Sequence, residues 1–395
     1  MRNYALIFSS LLFIFSNCKK TEKATDNPNG SNKTPFYKHL VGKIGDKNST
    51  INLTCNIDDN ALGKTPTLTG YYYSNDDLEP HKISGMYDSV GGLKLTVWDN
   101  DDESAIYFDG KFVNNETYSG NFRDTIHKII LPFNLVENYT DALELTHNSL
   151  SDSLQLFKNV EGSPTATFGI NLLIPKTSRK DVADFLIPQI LKIPESVSIT
   201  DDTDGDKVEK KVTTFKDASA LMQAYRDSFF AMYKDVFKDE KPSSMNEYFA
   251  MNYANLTSTD VVYNEKDILS LGVSNYDFEG GAHGNHGTTL VSYNISEKKV
   301  LALSDIFLPE YKTAISKSLE KSLRKKFKLA PKDSLSNILF DNKIDPTDNF
   351  CITHKGILFM YNPYEIASFA AGEIELFVPF ADVKQVLNPA LSTIK

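Results

Sequence analysis

Apolar and polar side chains alternate with a period of two through most of residues 36–136. Leu93, Leu95 and Val97, for example, are separated by Lys94 and Thr96. Segments of the same β-forming type recur at 71–73, 83–87, 107–113 and 126–131, separated by turn-forming Gly, Asn and Asp residues. A period of two places alternate side chains on opposite faces of a strand. This part of the chain is therefore predicted to be a small antiparallel all-β domain without helices.

From residue 137 onward, three segments show apolar spacing typical of a helix. The first helix is predicted to follow Ser178, an N-cap candidate with Asp181 three residues later. Its apolar face comprises Val182, Leu186, Ile190 and Ile193. Proline lacks a backbone N–H and its ring clashes with the preceding turn, so Pro188 is expected to kink this helix or end it early.

Two further helices are predicted from capping residues and spacing. The second begins with Thr214 and Asp217 as its capping pair, and the third has Pro309 at or near its first turn. The buried face of the second is expected to contain Ala218, Leu221, Tyr225, Phe229, Met232 and Val236. The buried face of the third is expected to contain Tyr311, Ile315, Leu319, Leu323 and Phe327. Both faces follow the spacing of an amphipathic helix that packs against a core.

The remaining segments of the second half read as strands, including a period-two run at Ile374, Leu376, Val378 and Phe380. Antiparallel strands covered by helices on one face define an α+β fold. We therefore expect an N-terminal antiparallel all-β domain followed by two α+β segments. The predicted organisation is a signal peptide at 1–17, a flexible tether at 18–35, a β-rich domain at 36–136, and α+β segments at 137–242 and 243–395.

The first residues are typical of an export signal. Arg2 precedes an apolar run from Tyr4 to Phe15, which is shorter than the roughly 20 residues that span a bilayer. Cys18 directly follows this run and resembles the lipidated cysteine of bacterial lipoproteins. We expect an exported protein held on the membrane of the bacterial cell envelope by lipid on Cys18. The alternative is ordinary secretion, in which Cys18 is removed with the signal.

Charge and missing motifs exclude several classes of function. The formal net charge is −10 at pH 7, which argues against nucleic acid or an anionic membrane face as the main partner and mildly favours basic proteins. The sequence contains no GxSxG, HExxH, GxxxxGK[ST] or GxGxxG motif. We therefore expect no metal and no cofactor, and we do not expect an enzyme.

Two cysteines besides Cys18 are present, Cys55 and Cys351. Both lie among apolar residues, which favours buried free thiols. A disulfide between them remains open, because an exported protein meets oxidising conditions.

Residues 276–289, YDFEGGAHGNHGTT, hold four glycines and two histidines between two predicted strands. His283 and His286 are three residues apart, and the nearby candidates for a third ligand are Asp277 and Glu279. Strong metal motifs place histidines on a helix or strand at fixed spacing, so this site is weakly specified. We expect an architectural connection in which glycines adopt positive φ, and we keep metal binding or catalysis by the histidines as the alternative.

A second dense segment, 361–372, contains Tyr361, Tyr364 and Glu365 around an Asn-Pro turn. These aromatic residues are expected to pack beneath a loop. Exposed tyrosines beside a turn are also typical of recognition surfaces, so the same residues, together with His283 and His286, are candidates for ligand binding.

The glycine segment, residues 294–307, residues 359–372 and the strand ending Val378-Pro379-Phe380 together resemble the extracellular domain of the RsiV anti-sigma factor family, which senses lysozyme. Residues 137–242 are similar to the companion domain that precedes it in RsiV and in PdaC peptidoglycan deacetylases. The resemblance implies an α+β module that binds a component of the cell envelope. This chain matches neither the sigma-binding part of RsiV nor the deacetylase catalytic domain, so neither activity is expected.

The sequence therefore predicts a lipid-anchored envelope protein that binds a lysozyme-like muramidase or the glycan of peptidoglycan. An envelope hydrolase that uses His283 or His286 with a carboxylate is the alternative from another class. A third possibility is that residues 36–136 are themselves the ligand-binding part.

Overall fold

The computed structural model describes residues 34–58, 65–88, 91–98, 106–197, 215, 217–241 and 248–389. The expected signal peptide, Cys18 and all but the last two residues of the expected tether lie outside these ranges, so lipidation stays a prediction. Thr214, the predicted cap of the second helix, also lies outside them.

The chain forms strands first and adds helices in its second half. The strands are β1 (Phe36–Ile44), β2 (Lys47–Asp58), β3 (Thr65–Ser74), β4 (His81–Tyr87), β5 (Leu93–Trp98), β6 (Ile106–Val113), β7 (Thr117–Asp124), β8 (Ile129–Glu137), β9 (Leu145–Gln155), β10 (Thr165–Pro175), β11 (Tyr253–Glu265), β12 (Ile268–Glu279), β13 (Asn285–Asn294), β14 (Lys299–Val300), β15 (Phe350–Ile352), β16 (Gly356–Tyr361) and β17 (Ile374–Pro379). The helices are α1 (Lys180–Val197), α2 (Ala218–Val236), α3 (Leu303–Ile306) and α4 (Lys312–Lys326), with 3-10 turns at Tyr248–Met251, Leu335–Asn337, Phe369–Ala371 and Lys384–Val386.

Strands β1 to β8 form a closed antiparallel barrel, in which β1 also pairs with β8. Leu93, Leu95 and Val97 of β5 point into the barrel and are buried, as the period-two pattern predicts. A Cβ atom at Gly42 would lie 2.0 Å from the carbonyl oxygen of Asn134, so a glycine is required where β1 closes against β8. The predicted all-β domain is confirmed, and closure into a barrel removes the exposed sheet edges that a flat sheet would leave.

Strands β9 to β14 form one six-stranded sheet in the order β14-β13-β12-β11-β10-β9. The pairs are antiparallel except that β10 and β11 run parallel. A parallel pair needs a long crossover, and the chain from β10 to β11 supplies it with α1 and α2. The sheet therefore joins strands from both sides of residue 242, where the sequence indicated a boundary between two segments.

Helices α1 and α2 cover one face of this sheet. Leu186 of α1 packs in a cluster with Leu271 and Tyr293, and Phe229 of α2 packs in another with Phe168. Alternate residues of each strand point away from the helices. The opposite face is consequently free to contact the barrel, the last sheet or solvent.

A three-stranded sheet, β15-β16-β17, lies on that opposite face and is covered by α4. The hydroxyl of Ser270 donates to the carbonyl oxygen of Ile352 at 2.7 Å, and the backbone N–H of Ile352 donates to Ser292 Oγ at 2.8 Å. Ile315, Leu319 and Leu323 of α4 are fully buried, as the predicted third helix requires. The α+β class is thus confirmed.

Two details of the predicted helices are wrong. Helix α1 does not end early at Pro188 but continues to Val197, because Pro188 is on the exposed side and the apolar face at Leu186 and Ile190 still packs on the sheet. A kink at Pro188, the other expectation, stays a prediction. In α2, Val236 was expected on the buried face but is 52% exposed. Tyr233 is buried instead, because the last turn of the helix packs against the core through Tyr233. Within the described ranges, no helix has the length and apolar character to cross a membrane.

The barrel packs against the rest of the molecule through an interface of apolar and polar contacts. The apolar cluster at this junction contains Tyr71, Val262, Leu290, Cys351, Leu358, Met360 and Phe377. Asn264 Nδ2 donates to the Tyr37 hydroxyl at 3.0 Å, and Thr69 Oγ1 donates to Asp260 Oδ1 at 2.6 Å. The described residues from 34 onward therefore form one compact unit.

Cys55 and Cys351 are both buried, as the apolar pattern predicts, and no disulfide joins them. Cys55 lies inside the barrel, whereas Cys351 lies in the junction cluster. Burial raises the pKa of the Cys351 thiol well above its ordinary value, so the thiol stays protonated and unreactive.

Candidate functional site

The glycine segment forms the connection between β12 and β13. Gly280 and Gly281 have φ values of 82° and 92°, a conformation that favours glycine. A Cβ atom at Gly280 would also lie 2.4 Å from the carbonyl oxygen of Ala250. The positive φ predicted for the glycines is confirmed at Gly280 and Gly281 but not at Gly284 and Gly287, where the backbone has ordinary φ.

His286 lies inside β13, opposite Tyr276 of β12, and not in the loop. Its Nδ1 is 3.1 Å from Glu373 Oε1, and the other oxygen of Glu373 accepts a hydrogen bond from Thr288 Oγ1 at 2.9 Å. Glu373 immediately precedes β17, so the three-stranded sheet supplies the carboxylate that holds this imidazole. A histidine–carboxylate pair of this kind can accept or donate a proton.

His283 has a different environment. Its ring stacks on Phe369 with centroids 4.0 Å apart, and its Nδ1 lies 3.1 Å from the carbonyl oxygen of Gly284. Phe369 also makes an edge contact with His286 at 5.6 Å. The two imidazoles thus share an aromatic neighbour, and within the described part of the chain it is His286 that contacts a carboxylate.

The nearby acids do not complete a metal site. Asp277 neighbours Tyr276 on β12 and therefore points to the face opposite His286. Its carboxylate accepts hydrogen bonds from the amides of Asn255 and Asn275, and burial raises its pKa. Over the described ranges, no group of three His, Cys, Asp or Glu side chains could hold a metal ion.

The three candidate residues of segment 361–372 lie in different environments. Tyr361 is 2% exposed and its hydroxyl donates to the Asp345 carbonyl oxygen at 2.6 Å, so it belongs to the core. Tyr364 is 61% exposed with a φ of 71°, and its ring lies 5.8 Å from that of Phe369. Glu365 is also exposed. Tyr364 and Glu365 are accessible to a partner, whereas Tyr361 is not.

A groove of about 390 Å³ crosses the face of the six-stranded sheet that the helices leave open. Strand register places two rows of side chains side by side across β9 to β13. One row is Ser151, Gly169, Leu256, Tyr276 and His286. The neighbouring row is Ser149, Asn171, Ser258, Ser274 and Thr288. The floor is thus made mainly of hydroxyl and amide groups with one large aromatic ring.

The barrel forms one wall of the groove and Glu373 closes the end near His286. Asn56, Thr67 and Thr69 are the barrel residues on this wall. Asp260 lies behind Thr69, and burial raises the pKa of this carboxyl while the Thr69 hydrogen bond and Lys82 lower it. Because the walls come from residues more than 300 positions apart, the groove exists only in the folded molecule.

Sequence reasoning found His286 but missed the groove. Ser149, Ser258 and Ser274 carry no motif, and hydroxyl residues at alternate positions indicate only a half-solvated strand. Glu373 is separated from His286 by 87 positions, and it became a partner only through the packing of the last sheet. The one available signal was Tyr276, a large aromatic residue that follows Ser270, Gly272 and Ser274 at alternate positions of β12 and is 39% exposed.

Two family models match the chain. Residues 304–381 match the family described as "Protein of unknown function (DUF3298)", and residues 186–286 match the family described as "Deacetylase PdaC". The second match extends through the glycine segment as far as His286. It therefore ends 44 residues after residue 242, where the resemblance to the companion domain was expected to end. A search of curated proteins finds no match.

One solved structure has a similar fold over 65% of this chain. A member of the DUF3298 family from Bacteroides fragilis NCTC 9343 is 23% identical with a TM-score of 0.53, covering 65% of this chain and 99% of that chain. A DUF3298 family protein from Pseudomonas aeruginosa PAO1 is 17% identical with a TM-score of 0.42, covering 63% of this chain and 96% of that chain.

The two matched domains suggest a protein related to the cell envelope. The chain contains a DUF3298 domain preceded by a PdaC-like domain.

Proposed function

We propose that this protein is a cell-envelope binding protein that holds a glycan strand in the groove across β9 to β13. The observation that carries the proposal is the double row of mainly hydroxyl and amide side chains, with Tyr276 and Leu256 among them, on an open sheet face. The DUF3298 and PdaC-like domains support an envelope setting. Lipid on Cys18 would hold the groove close to the cell wall.

The chemistry of the floor suits a sugar chain. Sugar rings present hydroxyl groups at their edges and C–H groups on their faces. Ser149, Ser258 and Ser274 offer donors and acceptors for the edges, whereas Tyr276 and Leu256 offer apolar surface for the faces. Five strands about 4.8 Å apart give a row of roughly 19 Å, long enough for several sugar units.

Binding of the full chain to insoluble peptidoglycan and to its soluble glycan fragments tests the proposal. Tyr276→Ala should weaken binding at least tenfold, because it removes the one large aromatic surface of the floor. Tyr364→Ala is the matched control, since it also removes an exposed tyrosine but lies outside the groove. Wild-type protein that is not retained, or equal retention of wild type and Tyr276→Ala, would refute the proposal.

The His286–Glu373 pair at the end of the groove favours a second function, hydrolysis of the bound glycan or its acyl groups. In that case the pair would act as a general base toward a water molecule. The same incubation, assayed for new reducing ends and for acetate, distinguishes turnover from binding. Release that disappears in His286→Ala would support hydrolysis, and no release above a blank would leave binding alone.

Exposed aromatic residues beside the groove favour a protein partner as well. We define the aromatic patch as His283, Phe340, Tyr364 and Phe369. Phe340 and Tyr364 are 59% and 61% exposed, and the backbone N–H of Phe340 donates to the carbonyl oxygen of Ile366 in the same segment. Clustered exposed aromatics are typical of binding hot spots. The exposed Glu365 and the net charge of −10 favour a basic partner, for which a lysozyme-like muramidase is the candidate.

Retention of the full chain on immobilised lysozyme at moderate salt tests this partner. Tyr364→Ala should reduce retention at least tenfold, whereas Tyr276→Ala should not, which is the reverse of the glycan result. An absence of retention, together with undiminished muramidase activity in the presence of the protein, would exclude lysozyme.

A further inference from the structure

The face of the sheet that forms the groove continues past the two rows of the floor, toward the end of β12. Strand register places a third row there, beside the row that contains Tyr276. This row is Ser153, Thr167, Ala254 and Phe278. Because side chains two apart on a strand share a face, Phe278 follows Tyr276 on the groove side, about 6.8 Å further along the strand.

A second aromatic ring packs against Phe278. It belongs to Phe249, in the 3-10 turn Tyr248–Met251, and the two ring centroids are 6.1 Å apart. Phe249 is 69% exposed and Phe278 is partly buried. We define the aromatic shelf as Phe249 and Phe278. The shelf lies outside the groove lining but directly continues it, so an apolar surface is exposed at the mouth of a polar groove.

The turn that carries Phe249 is fixed on two sides. The backbone N–H of Asn252 donates to the carbonyl oxygen of Phe249 at 3.3 Å, and Asn252 Oδ1 accepts from the backbone N–H of Thr165 at 2.9 Å. On the other side, a Cβ atom at Gly280 would lie 2.4 Å from the carbonyl oxygen of Ala250. The turn is therefore tied to β10 and to the loop after β12, which holds Phe249 beside Phe278.

Tyr276 connects the groove to the shelf. A Cβ atom at Gly284 would lie 2.5 Å from Cζ of Tyr276, so the ring occupies the space above this glycine. Gly284 immediately precedes β13, and the pairing of Asp277 with Asn285 places it level with Phe278. The ring of Tyr276 thus extends along β12 toward the shelf.

The groove and the shelf run in different directions. The two polar rows cross the strands from β9 to β13, whereas Tyr276, Phe278 and Phe249 follow one another along β12. An unbranched glycan that lies across the strands covers the rows and leaves the shelf empty. A ligand that fills both surfaces must branch at Tyr276. Peptidoglycan has this shape, because short peptides branch from its glycan strand.

From this geometry we propose that the groove and the shelf together recognise glycan that carries a peptide branch, an inference that rests on the proposed glycan function. The glycan lies across the rows, and the peptide leaves it at Tyr276 and follows β12. Small apolar side chains of the peptide pack on Phe278 and Phe249. The line from Tyr276 to Phe249 is about 10–13 Å long, which matches three to four extended residues.

Calorimetric titration of the full chain with soluble peptidoglycan fragments tests the inference. The same fragments are compared before and after an amidase removes their peptides. The fragments that carry peptides should bind at least fivefold more tightly than the bare glycan, because only they cover the shelf. The released peptides alone should bind more weakly than either, since they lack the contacts of the groove.

Variants assign the preference to the shelf. Phe249→Ala should abolish the preference for peptide-bearing fragments and leave the affinity for bare glycan unchanged. Phe340→Ala is the matched control, since it removes a phenylalanine that is 59% exposed and lies outside both the groove and the shelf. Tyr276→Ala should weaken the binding of both kinds of fragment, because its ring serves both surfaces.

The outcomes separate this inference from the proposed function. Equal binding of both kinds of fragment by wild-type protein would overturn the role of the shelf and leave the glycan groove standing. No binding of either kind would refute both. A folded Phe249→Ala variant that keeps the full preference would also overturn the inference. If this variant failed to fold, the comparison of fragments on wild-type protein would still decide.

Discussion

Glu373 is the single residue on which the end of the groove depends. Its two carboxylate oxygens hold two strand side chains, His286 and Thr288, and its own side chain is only 20% exposed. Thr288 is buried and also contacts Ser274 Oγ at 2.9 Å. Removing the carboxylate therefore takes a partner from a buried hydroxyl and releases the imidazole.

We expect Glu373→Ala to lower the free energy of unfolding by about 1–3 kcal/mol, the usual cost of leaving buried polar groups without a partner. Glu373→Gln should cost less, because the amide oxygen can still accept from Thr288. Urea unfolding measures both effects. Glu279→Ala is the control, an exposed carboxylate at the end of β12, and a loss as large as that of Glu373→Ala would contradict the argument.

Residue-level predictions from the sequence succeeded where the local pattern alone decides burial. Ile315, Leu319 and Leu323 were assigned correctly, because helical spacing determines which side of α4 is apolar. Tyr361 and Tyr364 could not be distinguished, since both are tyrosines near one turn. Which of them is buried depends on the path of the loop over the last sheet.

At the scale of single elements, α1 shows how packing overrides a local rule. Pro188 removes one backbone hydrogen bond and its ring crowds the carbonyl of Asp184, yet the helix extends from Lys180 to Val197. Pro188 is exposed, whereas Leu186 and Ile190 are buried against the sheet. The tertiary contacts of the apolar face offset the local cost of the proline.

We therefore expect Pro188→Ala to stabilise the protein by about 1–3 kcal/mol, because the new N–H can donate to the Asp184 carbonyl and no buried surface is lost. Thermal or urea unfolding checks this. Gln189→Ala is the control and should change the free energy of unfolding by less than about 0.5 kcal/mol. Destabilisation by Pro188→Ala would mean that the packing of α1 requires a bend at the proline.

At the scale of the whole molecule, the interface between the barrel and the rest carries three histidines. His147 Nε2 lies 2.6 Å from Asn56 Oδ1, His354 Nε2 donates to the Asp77 carbonyl oxygen at 2.8 Å, and His39 lies near Glu265. Burial lowers the pKa of His147 and that of His354 to about 4, and it lowers the pKa of His39 as well. These rings therefore favour the neutral form in the folded state.

A histidine with a lowered folded-state pKa contributes stability that is fully present above its unfolded value of about 6.5 and is lost as pH falls toward 4. We expect His147 and His354 each to account for about 2–3 kcal/mol of stability lost between pH 7.5 and pH 4.5. Buried Asp260 acts in the opposite direction, since burial raises its pKa. The difference between wild type and variants isolates the histidine contribution.

Urea unfolding at several pH values, with His147→Gln, His354→Gln and the double variant, measures this contribution. Each substitution should flatten the decline of stability toward acid pH. His127→Gln, an exposed histidine on the β7–β8 hairpin, should not flatten it. If the free energy of unfolding changed with pH identically in wild type and the double variant, His147 and His354 would not be the cause of the pH dependence.

The sequence by itself determined the all-β character of residues 36–136, the α+β class of the remainder, the helical faces and the architectural role of Gly280 and Gly281. These properties follow from backbone geometry and from spacing within one element, which are local. Tertiary structure alone decided that the eight strands close into a barrel, that one sheet crosses residue 242, and that Glu373 meets His286. The groove also belongs to this second class. Its walls come from distant parts of the chain, and contacts of that range depend on how whole sheets pack rather than on any neighbouring residue.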